Sequence, residues 1–197
     1  MMEIDLITSL LRSYVSNLSD EAIQLFSSFI SLKEYPRDHI VIKNKSQAKK
    51  FYIIKSGIVG SFAQDKRSEK EYIRAIHNDK TIFTNISSLD KDDNKSVNYY
   101  KCLSKCIVYQ GSYPEFIEQT HLNHELSILY NRILEDALLK SQKRIDELSF
   151  MDATQRYQAL KNNIPNIENL IAQYQIASYL SVTPVQLSRI RKKMYSQ

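Results

Sequence analysis

One segment near the C-terminus, QIASYLSVTPVQLSRIRKKM (residues 175–194), constrains the fold of this chain most strongly. The spacing of its apolar residues predicts two short helices, each with one buried face, joined by a tight turn. Thr183 is a favoured N-cap, Pro184 falls at the first helical position, and Gln186 completes a capping box. The positions left outside on the second helix are Val185, Gln186, Ser188, Arg189, Lys192 and Lys193.

This arrangement is typical of a helix-turn-helix whose second helix reads the major groove of DNA. The alternative is a capped helical hairpin with a solvated basic face. The chain has 197 residues and a formal net charge of +5. From Ser149 onward it carries six basic and two acidic residues, so most of the excess charge lies around this segment. A basic patch there indicates a polyanionic partner.

The preceding part of the chain reads as helices followed by a β-rich domain. Residues 3–30 have helical periodicity, with Ser19 as a candidate N-cap. Short β-rich runs follow at residues 39–43, 51–55, 58–63, 71–76, 97–103 and 106–110. Because polar stretches separate these runs, they indicate a β-sandwich or barrel. Ser56 and Gly57 predict a tight hairpin turn between two of the strands.

A long helix is expected after Pro114, because residues 115–148 contain neither Gly nor Pro. It carries two apolar stripes. The first has heptad-like spacing and consists of Leu122, Leu126, Leu129 and Ile133. The second consists of Leu134, Leu138, Ser141, Ile145 and Leu148. We expect the first stripe to form a homodimer interface, since helix-turn-helix proteins usually act as dimers. A long helix packed within one monomer is the alternative.

These patterns divide the chain into three segments. They predict a β-rich domain at residues 1–120, a dimerisation helix at 121–148 and a helix-turn-helix domain at 149–197. Residues 149–152 are the expected hinge, and a helix over about residues 153–162 follows it. No internal repeat or low-complexity segment interrupts this order, which makes the predicted fold class α+β.

The sequence resembles the Crp/Fnr superfamily of bacterial transcription regulators over essentially its whole length. MDATQRYQAL followed by QIASYLSVTPVQLSRIRKKM is similar to the versions common in Bacteroidetes-type members. FYIIKSGIVGSF and CIVYQGSYPEF resemble parts of the cyclic-nucleotide-binding domain. The resemblance implies that the β-rich domain at residues 1–120 is a jelly-roll sensor with flanking helices, followed by a long dimerisation helix and a C-terminal helix-turn-helix. Since the chain stops at Gln197, we do not expect a full C-terminal wing.

By this resemblance, the protein binds double-stranded DNA at a palindromic operator as a homodimer, and RNA polymerase is a further candidate partner. The candidate base-reading residues are Val185, Gln186, Ser188 and Arg189. The candidate phosphate contacts are Gln173, Tyr174, Thr183, Arg191, Lys192 and Lys193. Arg189 is the best candidate for a bidentate contact with guanine. Gln186 can read a base only if its capping role leaves it free, and Arg191 has an alternative orientation toward the protein.

The sensor domain departs from its cyclic-nucleotide-binding relatives. Their phosphate cassette holds the cyclic phosphate with backbone amides and an arginine, but no arginine occurs here between Arg74 and Arg132. Tight binding of a cyclic phosphate is therefore not expected. The corresponding positions form a degenerate effector pocket of Phe83, Thr84, Asn85, Ser96 and Asn98. Ser181 also replaces the usual Gly of the turn, at a cost of roughly 1 kcal/mol if its backbone is left-handed.

Other classes of protein are disfavoured. Cys102 and Cys106 are too few for a four-thiolate iron–sulfur sensor; they predict a packing role, with a thiol switch as the alternative. We expect no cofactor and no metal. No apolar stretch reaches membrane-span length and the N-terminus does not match a secretory signal, which fits a cytoplasmic protein. Enzyme motifs are missing, so the functional alternative is a ligand-sensing module whose helix-turn-helix binds protein rather than DNA.

Overall fold

The computed structural model describes residues 2–44, 49–64, 71–85 and 98–195, whose eight strands form two four-stranded antiparallel sheets. The first sheet has the order β1 (Ile30–Tyr35), β8 (Cys106–Ser112), β3 (Lys50–Ser56) and β6 (Ile82–Phe83). The second has the order β2 (Ile40–Ile42), β7 (Asn98–Cys102), β4 (Val59–Gln64) and β5 (Glu71–His77). This alternation of strands between two sheets is a jelly roll, which confirms the predicted fold class.

The turn at Ser56 and Gly57 is a corner between the sheets, so the predicted hairpin is wrong. β3 pairs with β6 and β8, whereas β4 pairs with β5 and β7. Gly57 has a φ of 110°, and its N–H donates to Asp79 Oδ1 at 3.0 Å. A Cβ at this position would lie 2.5 Å from the Lys105 carbonyl oxygen, so the corner requires glycine.

The N-terminal segment forms two helices and then a strand. These are α1 (Met2–Tyr14) and α2 (Asp20–Ser28), and β1 begins only two residues after α2 ends. Ser19 caps α2 as predicted, because its Oγ accepts from the Ala22 N–H at 3.2 Å. The sequence did not indicate β1. Its four central residues are exposed and only Leu32 among them is apolar, so β1 carries little of the apolar signal that marks a strand.

The predicted long helix is divided in two. α3 (Tyr113–Leu122) ends at Asn123, whose backbone is extended, and α4 (His124–Phe150) begins directly after it. The Asn123 Oδ1 accepts from the Leu126 N–H at 3.1 Å and caps α4. A single side chain therefore starts a new helix where the absence of Gly and Pro predicted a continuous one.

Four more helices complete the described chain: α5 (Ala153–Asn163), α6 (Ile167–Leu170), α7 (Gln173–Tyr179) and α8 (Pro184–Tyr195). α4 ends inside the predicted segment 149–152, and the Asp152 side chain forms a capping box with Gln155 at the start of α5. In the part of the chain that the structure covers, no helix is apolar over the length needed to cross a bilayer.

The C-terminal helices pack directly on the second sheet. Ile58, Ile73 and Leu103 from the jelly roll belong to the same buried cluster as Tyr157 and Leu180 from the C-terminal helices. The Ile73 N–H of β5, at the edge of that sheet, donates to Ser178 Oγ of α7 at 3.0 Å. The jelly roll and the C-terminal helices thus share one core, which fixes the orientation of α7 and α8.

Candidate nucleic-acid interface

The apolar stripes predicted in α7 and α8 form the buried faces of these helices. The buried members are Ile176, Ala177, Leu180 and Leu187, with Ile190 and Met194 partly buried beside them. Ala177 is fully buried and, as predicted, supplies a small side chain where α7 meets its neighbours. Burial of these residues leaves the opposite face of α8 in solvent.

The turn between α7 and α8 has the predicted geometry. Ser181 has a φ of 56°, in the left-handed region that favours glycine. The Val182 N–H donates to the Ala177 carbonyl at 3.0 Å and closes α7. Thr183 and Gln186 form the predicted capping box: each backbone N–H donates to the other residue's side chain, at 2.8 and 3.2 Å.

All four predicted base-reading residues are exposed on α8, and only Gln186 has its side chain engaged in the helix cap. Val185 is 60% exposed, and Ser188 and Arg189 are exposed as well. The Arg189 guanidinium makes no hydrogen bond or ion pair with any other described residue. Gln186 is also exposed, but its Oε1 accepts from both the N–H and the hydroxyl of Thr183. Its carbonyl is therefore committed to the helix cap.

Arg191 takes the inward orientation. Its Nε lies 3.2 Å from Glu168 Oε1, and both side chains are mostly buried. The hydroxyl of Tyr157 also donates to Glu168, and the Tyr195 hydroxyl donates to the same carboxylate at 3.1 Å. Glu168 is one of only two acids after residue 148, and no sequence motif marks it as a partner of Arg191. Because Glu168 holds the Arg191 guanidinium, Arg191 is no longer a candidate phosphate contact.

The remaining candidate phosphate contacts lie at the surface. They are Gln173 and Tyr174 at the start of α7, Thr183 before α8, and Lys192 and Lys193 in its last turns. Tyr174 is 63% exposed. The Thr183 hydroxyl already donates to Gln186 at 3.1 Å, so it is engaged in the cap. Their contact with DNA stays a prediction.

The first apolar stripe of α4 does not offer a dimer interface. Leu126 and Leu129 are fully buried in the same chain, in a core formed with α1, α2 and the first sheet. Ile133 is partly buried against that core, and Leu122 is exposed on α3, outside α4. We therefore correct the interface assignment, because two of the four residues have no surface to offer a partner while the chain has this fold.

The second apolar stripe is the exposed one. Leu138 and Ile145 are each 60% exposed or more, and Leu134 and Leu148 flank them with about two fifths of their surface exposed. Ser141 lies between them and keeps the spacing at alternating four- and three-residue steps. This spacing is that of the a and d positions of a coiled coil.

The predicted effector residues lie in or beside the jelly roll. Phe83, Asn85 and Asn98 are buried, and the Thr84 hydroxyl donates to the Lys50 carbonyl at 2.8 Å. Ser96 lies outside the described residues. Phe83 stacks between the rings of Tyr52 and Tyr100, with centroids 5.2 and 5.4 Å away. Aromatic rings therefore occupy the interior next to this pocket.

A cation that the sequence analysis passed over, Arg74, lies beside these residues. β4 and β5 pair Ser61 with Ala75 and then Phe62 with Ile73, so Arg74 is the extra residue of a β-bulge. Its Nη1 donates to Asn98 Oδ1 at 3.3 Å. Arg74 precedes Phe83 in the sequence, so only the strand pairing reveals its position. A guanidinium thus reaches the predicted pocket from β5 and not from the segment after Phe83.

His77 is half-buried and the two cysteines are fully buried in the same domain. The His77 ring stacks on Phe83 at 5.1 Å, and burial together with the nearby charge of Lys140 lowers its pKa to about 4. Cys102 and Cys106 are fully buried, and the Cys106 thiol donates to the Ile58 carbonyl at 3.3 Å. Their burial is what a packing role requires.

The fold is shared with solved regulators of the Crp/Fnr type. FixK2 from Bradyrhizobium japonicum superposes with a TM-score of 0.72 over 85% of both chains, at 14% identity. CLP, a c-di-GMP-responsive global regulator from Xanthomonas campestris, gives 0.68 over 90% of this chain and 92% of its own, at 16% identity. A protein described as a transcriptional regulator of the Crp/Fnr family from Eubacterium rectale gives 0.71 over 93% and 88%, at 11% identity. At these identities the likeness shows the fold alone.

Sequence comparison is less informative, and no protein-family model matches the chain. The DNA mismatch repair protein MutS of Clostridium botulinum (strain Alaska E43 / Type E3) is 29% identical over 153 residues, or 74% of this chain. MutS of Clostridium beijerinckii is 29% identical over 170 residues, or 82% of this chain. The chain spans only 15% and 17% of the length of these curated relatives. The activity of the whole MutS protein is therefore not carried over.

Proposed function

We propose that this protein is a transcription regulator that binds double-stranded DNA as a homodimer, with α8 as the recognition helix. The observation that carries the proposal is the outward face of α8. Val185, Ser188 and Arg189 are exposed on it, whereas Leu187 between them is fully buried. The capping box fixes where the helix begins, so these side chains have a defined position for entering a major groove.

Arg189 is the principal base-reading residue in this proposal. A guanidinium presents two parallel donors that match the O6 and N7 acceptors of guanine. Since Arg189 has no partner among the described residues, base contact would break no interaction within the protein. Val185 offers an apolar contact for a thymine methyl group. Gln173, Tyr174 and Lys193 are exposed near the two ends of the motif and supply phosphate contacts.

The second apolar stripe of α4 supplies the dimer interface. Pairing two copies along Leu134, Leu138, Ile145 and Leu148 buries the largest continuous set of exposed leucine and isoleucine side chains on this helix. Two recognition helices would then face successive major grooves, with half-sites about 34 Å apart. The Bacteroidetes-type sequence resemblance, a palindromic operator and RNA polymerase as a partner belong to the same proposal.

The test is selection of bound sequences from a random duplex library by the full-length chain. The proposal expects enrichment of a two-fold symmetric site whose half-sites are one helical turn apart, followed by a footprint on that site. The protein-binding alternative would be supported by two results together. No sequence would be enriched at low salt, and the wild type, but not Arg189→Ala, would capture a protein from cell extract. Sequence-independent retention would contradict base reading by α8.

A further inference from the structure

A cleft of about 810 Å³ lies where the parts of the molecule meet. It is lined by α1, the end of β5 with the turn that follows it (residues 75–81), α4 and the C-terminal helices α5 and α7. Its volume is in the range of small-molecule sites in proteins. The predicted effector residues Phe83, Thr84, Asn85 and Asn98 are not among those that line it. The cleft is therefore a separate feature from the degenerate pocket of the jelly roll.

Every negatively charged side chain that lines the cleft has a hydrogen-bond or ion-pair partner within the protein, whereas two of the positively charged ones have none among the described residues. Each lining carboxylate has a partner within the protein: Asp79 accepts from the Gly57 N–H at 3.0 Å, Glu135 pairs with Arg132 at 2.8 Å, Asp136 with Lys140 at 2.7 Å, and Glu147 with Arg144 at 3.2 Å. Lys80 and Lys143 also line the cleft, and neither ammonium group contacts a polar partner among the described residues. The charge left over is cationic.

Two buried nitrogens in the wall of the cleft lack hydrogen-bond partners. They are His77 Nε2 and Arg144 Nε, and they are the two such side-chain atoms found in the described ranges. Both residues line the cleft. Most buried polar atoms in proteins are paired, so these two nitrogens add polar character to a wall that is otherwise formed partly by apolar side chains.

The part of the cleft formed by Asp136, Leu139 and Lys143 faces away from the exposed stripe of α4. These three residues are each nine residues from a member of the exposed stripe. Nine residues correspond to two and a half turns of an α-helix, which places the two sets on opposite faces. A ligand in this part of the cleft would therefore contact the jelly roll, α4 and the C-terminal helices of one protomer without competing with a partner at that stripe.

We propose that this cleft binds a small amphipathic organic anion. Lys80 and Lys143 hold its carboxylate, phosphate or sulfonate group, and Ile76, Leu139 and Leu160 contact its apolar body. Because Tyr179 of α7 also lines the cleft, such a ligand touches the helix-turn-helix as well as α4. Binding does not depend on the proposed function, although any effect of the ligand on DNA binding rests on it.

The test compares two fluorescent probes of the same shape. 8-Anilino-1-naphthalenesulfonate carries one sulfonate, and N-phenyl-1-naphthylamine is the same molecule without it. The proposal expects saturable binding of the sulfonate, one per chain, and at least tenfold weaker binding of the neutral probe. Lys80→Ala and Lys143→Ala should each weaken the sulfonate about threefold, and the double variant about tenfold.

Matched controls separate the cleft from other surfaces. Lys33→Ala removes the same charge from an exposed position on β1, and Leu138→Ser alters the exposed stripe; neither should change binding of the sulfonate. Leu139→Asp puts a negative charge into the cleft at a side chain that is 65% exposed, so it should fold normally and abolish binding. This variant decides the matter if the double lysine variant fails to fold.

The proposal would be overturned if the wild type bound neither probe or bound both equally. It would also be overturned if Leu139→Asp kept the wild-type affinity for the sulfonate, or if Leu138→Ser lost it. The titrations contain no DNA, so they stand whether or not an operator is found. Conversely, a selected operator with no probe binding would support the proposed function and remove the cleft from it.

Discussion

The two apolar stripes predicted along residues 122–148 have similar spacing in the sequence but differ in burial in the structure. Leu126 and Leu129 are fully buried against α1 and α2, whereas Leu138 and Ile145 are mostly exposed. Heptad-like spacing shows that a helix has an apolar face. It does not show what covers that face, because the answer depends on which other elements the chain brings to it.

The same contrast recurs in α8, where Arg189 and Arg191 are only two residues apart. Two residues correspond to about 200° around a helix, so the side chains leave on opposite sides. Arg191 turns inward to Glu168, and Arg189 faces solvent without a partner among the described residues. In both helices, residues of one chemical type divide into an inner set that serves the fold and an outer set available to a partner.

The largest expected effect tests the burial of the first apolar stripe, which includes Leu129. Leu129→Ala removes a fully buried side chain and should lower the free energy of unfolding by about 2–5 kcal/mol, measured by chemical denaturation. Leu122→Ala is the matched control, since Leu122 was predicted for the same interface but is 75% exposed; it should change stability by less than about 0.5 kcal/mol. Equal losses in the two variants would erase the distinction.

Leu138→Asp tests the second apolar stripe as a dimer interface. Burying a carboxylate at an apolar dimer contact should weaken the dimer at least about a hundredfold, or roughly 3 kcal/mol, while the monomer keeps its helical circular dichroism. Sedimentation velocity over a range of concentrations gives the result, with Leu122→Asp as the control. A folded Leu138→Asp variant that still sediments as a dimer means that another surface joins the protomers.

Acid titration tests the environment of His77, whose ring stacks on Phe83. The folded-state pKa of His77 is about 4, below the ordinary value of 6.5, so the unfolded chain binds the extra proton between these two pH values. Its contribution therefore leaves stability unchanged above pH 6.5 and lowers it by roughly 1.4 kcal/mol per pH unit as the pH falls toward 4. His77→Phe should flatten this slope, which chemical denaturation at several pH values between 4 and 7 measures.

Substitution of Arg189 should weaken DNA binding directly, whereas substitution of Arg191 should act on the stability of the protein. Arg189→Ala should cost about 1–3 kcal/mol on the selected operator, with little loss on scrambled duplexes. Lys193→Ala should weaken both duplexes alike and reduce the slope of log affinity against log salt by about one. Arg191→Ala should instead lower stability through the loss of its contact with Glu168. Equal losses on both duplexes for Arg189→Ala would remove it from base reading.

The smallest effect concerns the turn. Ser181 holds a left-handed backbone that glycine adopts without steric strain, so Ser181→Gly should raise the free energy of unfolding by about 0.5 kcal/mol after the entropy of the unfolded glycine is counted. Ser188→Gly, inside α8, should lower it by about 0.5–1 kcal/mol. Thermal denaturation of both variants measures the difference, and a loss in Ser181→Gly would show that the turn is not strained.

Local features of this protein were readable from its sequence. The Ser19 cap, the Thr183–Gln186 capping box, the buried faces of α7 and α8 and the left-handed Ser181 all depend on residues within a few positions of one another. Short β-rich runs between polar stretches also predicted most of the strands, because strand-forming composition and turn residues are local properties. Caps, turns and faces need no knowledge of distant residues.

The tertiary structure decided every question that depends on distant partners. It placed β3 and β4 in different sheets, brought the bulged Arg74 to Asn98, and turned Arg191 onto Glu168. It also assigned Leu129 to the core and left Leu138 outside. The sequence by itself determined which residues form apolar or charged faces, because that is local. Only the assembled fold decided which faces are covered, since burial depends on elements that lie far apart along the chain.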